Sequence, residues 1–152
     1  MAVDGSWNIS IDTPMGTRQA SLDLKAEGAT LGDALLFFGC RRPDQDFLYE
    51  DELKTFAANG LVGLHVAFSR LNDDKLYVQH LIAREADAVW RLIEQGAVIY
   101  VCGDGGKMEP DVKAALIALH QRKTGASSAQ SAVWIDQMGR DNRYVLDVWA
   151  SG

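Results

Sequence analysis

The sequence predicts an α/β fold in which a parallel sheet carries helices on both faces and a β-hairpin precedes it. Apolar runs of strand length occur at 34–40, 64–69, 97–102 and 144–149. Runs of this kind are how parallel strands covered on both faces read. Stretches with helical spacing separate them, and strands alternating with helices give a parallel sheet. The first thirty or so residues instead alternate large apolar with polar side chains, the period of a strand with one wet face.

Trp7–Asp12 and Gln19–Lys25 carry that alternation, with Thr13-Pro14-Met15-Gly16 as the turn between them. Glu27-Gly28 offers a second turn. Residues 1–31 show no chemistry and read as a structural hairpin, or as a foreign piece joined at Leu31-Gly32. Residues 32–152 then form the second domain. Ala34–Cys40 is its first strand, with Arg41-Arg42-Pro43 at its C-terminal edge. Leu53, Phe56 and Ala57 set a helix over 49–58, and Asn59-Gly60 suits its C-terminus. Leu64–Ser69 is the next strand. Leu81, Ile82, Ala86, Val89, Trp90 and Ile93 make the apolar stripe of one long helix from about Tyr77 to Glu94, ended by Gly96. Ala97–Cys102 is a strand, and Gly103-Asp104-Gly105-Gly106 a turn that lets backbone approach a ligand closely. Pro110 suits the first turn of a helix reaching about Lys123. Ser127 or Ser128 suits the cap of another reaching about Met138. Tyr144–Trp149 is the last strand.

The 152 residues are enough for a domain with a real core. The net charge of −6 argues against nucleic acid as the main partner. No apolar run reaches the length of a membrane span, and Met1–Ser6 has neither the basic nor the apolar region of a secretory signal. Cys40 and Cys102 are far apart and form no metal-ligand pattern, so no metal is expected. Both lie near the ends of apolar runs and by themselves read as buried, reduced core thiols, a reading kept for Cys40, which fits a cytoplasmic protein.

The chemistry concentrates in Leu64–His80. A buried strand ends in Ser69-Arg70, a short polar turn follows, and a helix opens with Tyr77 and Gln79. A hydroxyl, a guanidinium, the Lys75 ammonium and a phenol thus meet at the C-terminal edge of a sheet, where open α/β sheets bind ligands. Arginine presents a fork of donors that matches a phosphate, and lysine adds a point charge. An acidic residue at such a strand end suits a free ribose hydroxyl, as in NAD sites. A Ser-Arg pair suits a ribose phosphate, as in NADP sites. The same residues also read as a solvated turn after a strand.

Six segments occur in a fixed order: Phe38-Gly39-Cys40-Arg41, Asp46-Phe47-Leu48-Tyr49, Phe68-Ser69-Arg70, Lys75–His80, Tyr100–Asp104 and Asp147-Val148-Trp149. Together they resemble the C-terminal NADP-binding part of the diflavin reductases. That family includes the NADPH–cytochrome reductases and the reductase halves of fused bacterial monooxygenases. The resemblance runs from about Gly32 to Trp149.

This resemblance implies a ferredoxin-reductase-like NADP-binding domain that lacks its first strand. It implies that Ser69, Arg70, Lys75 and Tyr77 hold the ribose 2′-phosphate and adenine end, with Gln79 nearby, and that Arg41 touches the nucleotide phosphates. It puts Cys102 and Asp147 at the nicotinamide, where a thiol and a carboxylate steer the ring and stabilise developing positive charge. It has Trp149 stack on the flavin and move aside for nicotinamide, and it places Asp104 and Met108 in the strand-end turn beside the cofactor. Electron transfer then runs from NADPH to FAD, which is expected from a domain missing from this chain, with a separate flavin domain or a haem protein as partner.

Departures from the family pattern are as informative. Nothing matches the strand and Gly-x-Gly-Thr-Gly turn that precede Ala34 in the family, or the Arg-x-Tyr-Ser motif of its flavin barrel. The missing strand is central in the family sheet. Either the hairpin fills its slot, or the flanking strands close up. A filled slot keeps Cys40 and Cys102 roughly 10 Å apart, and a closed sheet brings them within bridging range. Three functional readings stand: an NADPH-binding portion of a flavoprotein oxidoreductase, a nucleotide- or partner-binding module without redox activity, and a truncated gene product.

Overall fold

A computed structural model describes residues 5–13, 16–24, 32–44, 46–71 and 75–149. The chain divides into two compact units, residues 1–32 and 33–152. In the first, β1 (Gly5–Thr13) pairs with β2 (Gly16–Leu24) in an antiparallel ladder from Gly5↔Leu24 to Thr13↔Gly16. This is the hairpin that the alternation predicts. The expected turn at Glu27-Gly28 lies outside the described residues.

The second unit runs β3 (Leu35–Cys40), α1 (Glu50–Ala58), β4 (Gly63–Phe68), α2 (Val78–Arg84), α3 (Ala86–Glu94), β5 (Ile99–Asp104), α4 (Met108–Thr124), α5 (Ser128–Arg140) and β6 (Tyr144–Trp149). β3 pairs with β4 and β5 with β6, both in parallel. Parallel pairing with helical crossovers is what the apolar runs predict. The sheet is divided, however. Among the described residues it consists of two separate two-stranded ladders, and β3 does not pair with β5. The flanking strands have not closed up, and Cys40 and Cys102 are free thiols. Helix packing holds the two ladders together in one unit. α2 lies on β3 and β4, α4 lies on β5, and α2 packs against α4. Packed helices sit about 8–10 Å apart, roughly twice the spacing of paired strands.

The core forms where α2, α3, α4 and α5 meet β5 and β6. Leu116, Leu119 and Ile135 are its most deeply buried apolar residues, joined by Ile82, Val89, Ile93, Val101, Val112, Met138 and Tyr144. Leu35 and Phe37 extend it under β3. The expected single helix from Tyr77 to Glu94 is two helices. Glu85, at φ −90° and ψ 26°, ends α2 and begins α3, and its carboxylate lies 3.8 Å from His65 Nδ1. The apolar stripe crosses the break without losing register, so its periodicity carries no sign of it.

Helix ends follow local chemistry. Ser127 caps α5: its backbone N–H donates to the Gln130 side chain at 2.8 Å, and its Oγ accepts from Gln130 N–H at 3.3 Å. Gly125 ends α4 with φ 73°. Arg143, just before β6, donates to Ile93 O at 2.6 Å and to Ala97 O at 3.1 and 3.2 Å. It thereby ties the last turn of α3 to the segment that leads into β5, with Ile93 O also accepting from Gly96 N–H at 3.1 Å.

The buried Ser131 shares a 2.9 Å hydrogen bond with His120 Nδ1. The His120 ring stacks on Trp134 with centroids 4.3 Å apart and meets Trp90 edge-on. Burial lowers the His120 pKa.

Candidate functional site

Two groups of side chains form at the C-terminal ends of the ladders. The first belongs to β3 and β4. Backbone pairing continues past both strands, with Ser69 N–H donating to Cys40 O and Arg70 N–H donating to Arg41 O, each at 2.9 Å. The predicted Arg41, Ser69 and Arg70 are thus neighbours on adjoining strand ends. Arg42 is engaged by Asp44, Nε to Oδ1 at 3.1 Å. Arg41, Arg70 and Lys75 are exposed and have no carboxylate partner among the described residues. Two guanidinium groups left unneutralised at one sheet edge fit an anionic phosphate.

Tyr77 stands just before α2 and is exposed. Its backbone N–H donates to His80 Nδ1 at 3.2 Å, which anchors the start of the helix. Gln79, in the first turn, donates from Nε2 to Asp111 Oδ2 at 3.1 Å. Asp111 was not among the residues expected from the motifs. It lies in the first turn of α4, and nothing local in the sequence marks it as a partner of Gln79.

The second group belongs to β5 and β6. Cys102 pairs in register with Asp147, and Asp104 with Trp149, so all four occupy one face of the ladder. Cys102 Sγ lies 4.0 Å from Asp147 Oδ2. α4 and α5 pack against β5 and β6, and Val101 and Tyr144 are buried in the core they share. Cys102, Asp147 and Tyr100 are exposed, and Tyr100 is 76% accessible. Tyr100 and Cys102 sit inside an apolar run, so composition does not reveal that their face is open.

Partial burial of the sulfur and the charge of Asp147 both raise the Cys102 pKa. Cys102 is therefore a thiol near neutral pH, suited to contact and hydrogen bonding and not to nucleophilic attack. Cys40 differs in setting. It is buried at the end of β3, and burial with the charges of Asp46 and Glu50 pushes its pKa up to about 11.

The 103–106 turn is shaped by close approach. Gly103 has φ 144°, and a Cβ there would stand 2.6 Å from the Met108 methyl carbon. Asp104 Oδ1 accepts from Gly106 N–H at 2.7 Å, and Gly105 N–H donates to Trp149 O at 2.9 Å. The turn is thus tied to β6, with half-buried Met108 packed against the core.

The Gln79–Asp111 bond relates the two groups. It joins the first turn of the helix that follows β4 to the first turn of the helix that follows β5. Both ladders therefore present their C-terminal ends at the same edge, where an extended dinucleotide would span them. The family model for the oxidoreductase NAD-binding domain matches residues 17–114, well over half of the chain. The chain belongs to that family.

Among curated proteins, this NAD-binding domain is 49% identical over 135 residues to the bifunctional cytochrome P450/NADPH–P450 reductase 2 of Bacillus subtilis (strain 168), covering 88% of the chain and 13% of that protein. It is 42% identical over 128 residues to the human NADPH–cytochrome P450 reductase, covering 84% of the chain and 19% of that protein. The Musca domestica reductase of the same name is 39% identical over 128 residues, with the same coverage. The chain thus spans less than a fifth of the length of these relatives. The family match begins inside β2, upstream of Gly32, where the resemblance carried by the six motifs begins. No helix among the described residues is long and apolar enough to cross a membrane.

Proposed function

We propose that this chain is the NADPH-binding portion of a flavoprotein oxidoreductase, and that it positions NADPH for hydride transfer to FAD held outside these 152 residues. The observation that carries this reading is the pair Arg41 and Arg70, without a carboxylate partner among the described residues, on adjoining strand ends with Ser69 next to Arg70 at the end of β4. An adenosine ribose carrying a 2′-phosphate is the dinucleotide end that such a pair recognises, and the Ser-Arg sequence favours NADP over NAD. In this reading Ser69, Arg70 and Lys75 hold the 2′-phosphate. Tyr77 offers its exposed ring to the adenine, Gln79 supports that end, and Arg41 meets the remaining phosphates.

At the other end, Cys102 and Asp147 face the nicotinamide from one side of the β5–β6 ladder. Bound NADPH supplies the hydride. The thiol gives a compact contact that orients the ring, and the Asp147 carboxylate stabilises the positive charge that develops on it. Trp149 would cover the flavin and swing away when nicotinamide arrives, while Asp104 and Met108 shape the turn below. A separate flavin domain or a haem protein would be the electron-transfer partner, and the relatives' names pair those reductases with cytochrome P450.

Calorimetric titration with NADP⁺ and then NAD⁺ tests the binding half of the proposal. Tight NADP⁺ binding, much weaker NAD⁺ binding, and loss of that preference in Arg70→Ala are the expected results. No NADP⁺ binding by a folded chain would overturn it. Flavin reduction on adding a flavin domain tests the redox half. Binding without reduction would make the chain a nucleotide-binding module.

A further inference from the structure

We infer that Asp46 is the positioning residue of the Arg41–Ser69–Arg70 anion site, an inference that rests on the binding reading above. Asp46 touches none of the groups assigned to the nucleotide. Its carboxylate instead closes the turn that follows β3. Oδ1 accepts from the backbone N–H groups of Arg41 and Arg42, each at 2.9 Å, and Oδ2 accepts from Arg41 N–H, also at 2.9 Å. The turn closes in the other direction through Asp46 N–H, which donates to Arg42 O at 3.3 Å.

The consequence passes through one peptide unit. Arg41 N–H is held by Asp46, and Arg41 C=O accepts from Arg70 N–H at 2.9 Å. One residue earlier, Cys40 O accepts from Ser69 N–H at the same distance. Asp46 thus fixes the backbone from which the Arg41 side chain springs, and Arg41 in turn fixes the backbone that carries Ser69 and Arg70. Carboxylate-to-amide bonds are among the stronger hydrogen bonds, so this is a firm anchor.

The neighbouring residue acts in the same sense by other means. Phe47 packs on Phe38 of β3 and Phe68 of β4, with centroids 5.3 and 5.9 Å apart. The Asp46-Phe47 pair thus joins both strand ends, by hydrogen bonds on one side and aromatic contact on the other. Placing a negative charge beside an anion site is unfavourable in isolation. The charge is offset here because the carboxylate faces backbone amides, which leaves the Arg41 guanidinium free of it.

The test compares NADP⁺ and NAD⁺ affinities by calorimetry for the unsubstituted chain, Asp46→Ala, Asp46→Asn and Arg70→Ala, each checked for folding by circular dichroism. A purely structural defect weakens both dinucleotides alike, so the ratio of affinities is the reading. Asp46→Ala should lower the NADP⁺ preference about tenfold, the scale set by losing charge-assisted hydrogen bonds. Asp46→Asn should retain most of the preference, because one amide oxygen can replace Oδ1 on both N–H groups. An unchanged ratio in Asp46→Ala would overturn the inference alone. So would an Asn variant as impaired as the Ala variant. If the alanine variant does not fold, Asp46→Glu takes its place, since the added methylene moves the carboxylate off both amides, and an unchanged ratio there overturns it equally. No NADP⁺ preference in the unsubstituted chain, or no effect of Arg70→Ala, would sink the binding reading and this inference together.

Discussion

Gln79 and Asp111 are joined by a 3.1 Å hydrogen bond between the first turns of α2 and α4, and this bond spans the division in the sheet. With no central strand pairing β3 to β5 among the described residues, the alignment of the two strand-end groups depends on helix contacts, and this one is polar and directional. Breaking it should loosen the relation between the phosphate end and the nicotinamide end of the site. We expect Gln79→Ala and Asp111→Ala each to cost about 0.5–1.5 kcal/mol of stability. The double variant should cost less than the sum, because partners in one bond are coupled. Urea denaturation of the four proteins measures the coupling, and strict additivity would show that the bond contributes nothing.

Cys102 should react slowly with iodoacetamide at neutral pH, because its thiol is held protonated by partial burial and by Asp147. Alkylation should accelerate only at alkaline pH. Asp147→Asn removes that charge and should move the rate profile to lower pH. Mass spectrometry after timed alkylation reads both, with buried Cys40 as an internal comparison whose pKa of about 11 places it later still. Cys102 reacting fully at pH 7 would contradict the assignment.

His120 predicts a pH effect on stability. Burial lowers its folded-state pKa below the ordinary value of 6.5, so the neutral imidazole is the form that folding favours. The unfolded chain therefore binds more protons than the folded chain just below that value, and stability falls as pH drops below about 6.5 and is level above it. His120→Gln keeps a polar partner for Ser131 and should flatten the slope between about pH 5 and 6.5. Melting temperatures across that range are the measurement, and an identical slope in the variant would remove His120 as the source.

Arg143 and Ile135 test the core from two directions. Arg143→Ala leaves the Ile93 and Ala97 carbonyls without their guanidinium partner and should cost about 1–3 kcal/mol. Arg143→Lys should recover only part, since an ammonium lacks the planar fork. Ile135, with 0% exposure, should lose about 2–5 kcal/mol on truncation to Ala. Its α5 neighbour Val133, 63% exposed, should lose less than about 0.5 kcal/mol. Chemical denaturation distinguishes these, and equal costs at 133 and 135 would contradict the packing.

What could be read from the residues is what short-range chemistry carries. β6 has the bounds its apolar run implies, Tyr144–Trp149. Ser127 caps α5 through the side chain three residues on, and Asn59-Gly60 ends α1, as these residue types do wherever they occur. The Ser69-Arg70 strand end was visible for the same reason: its position depends only on where an apolar run stops. The motifs also reached the family.

Contacts between residues distant in sequence lay beyond that reach. Glu85 breaks a helix whose stripe is continuous, because the break changes the path of the backbone and not the order of apolar residues. Asp46 stands in one of the six motifs with no role attached to it until its carboxylate is seen on two backbone amides. Gln79 and Asp111 meet only once α2 and α4 are packed side by side, and Arg143 finds the end of α3 only when β6 is laid beside β5. The division of the sheet belongs here as well. Apolar runs specify strands, but which strands pair is decided by contacts between segments distant in sequence, here β3 with β4 and β5 with β6. Local pattern therefore settled the elements and the chemistry at their ends, and packing settled which of those ends share a site.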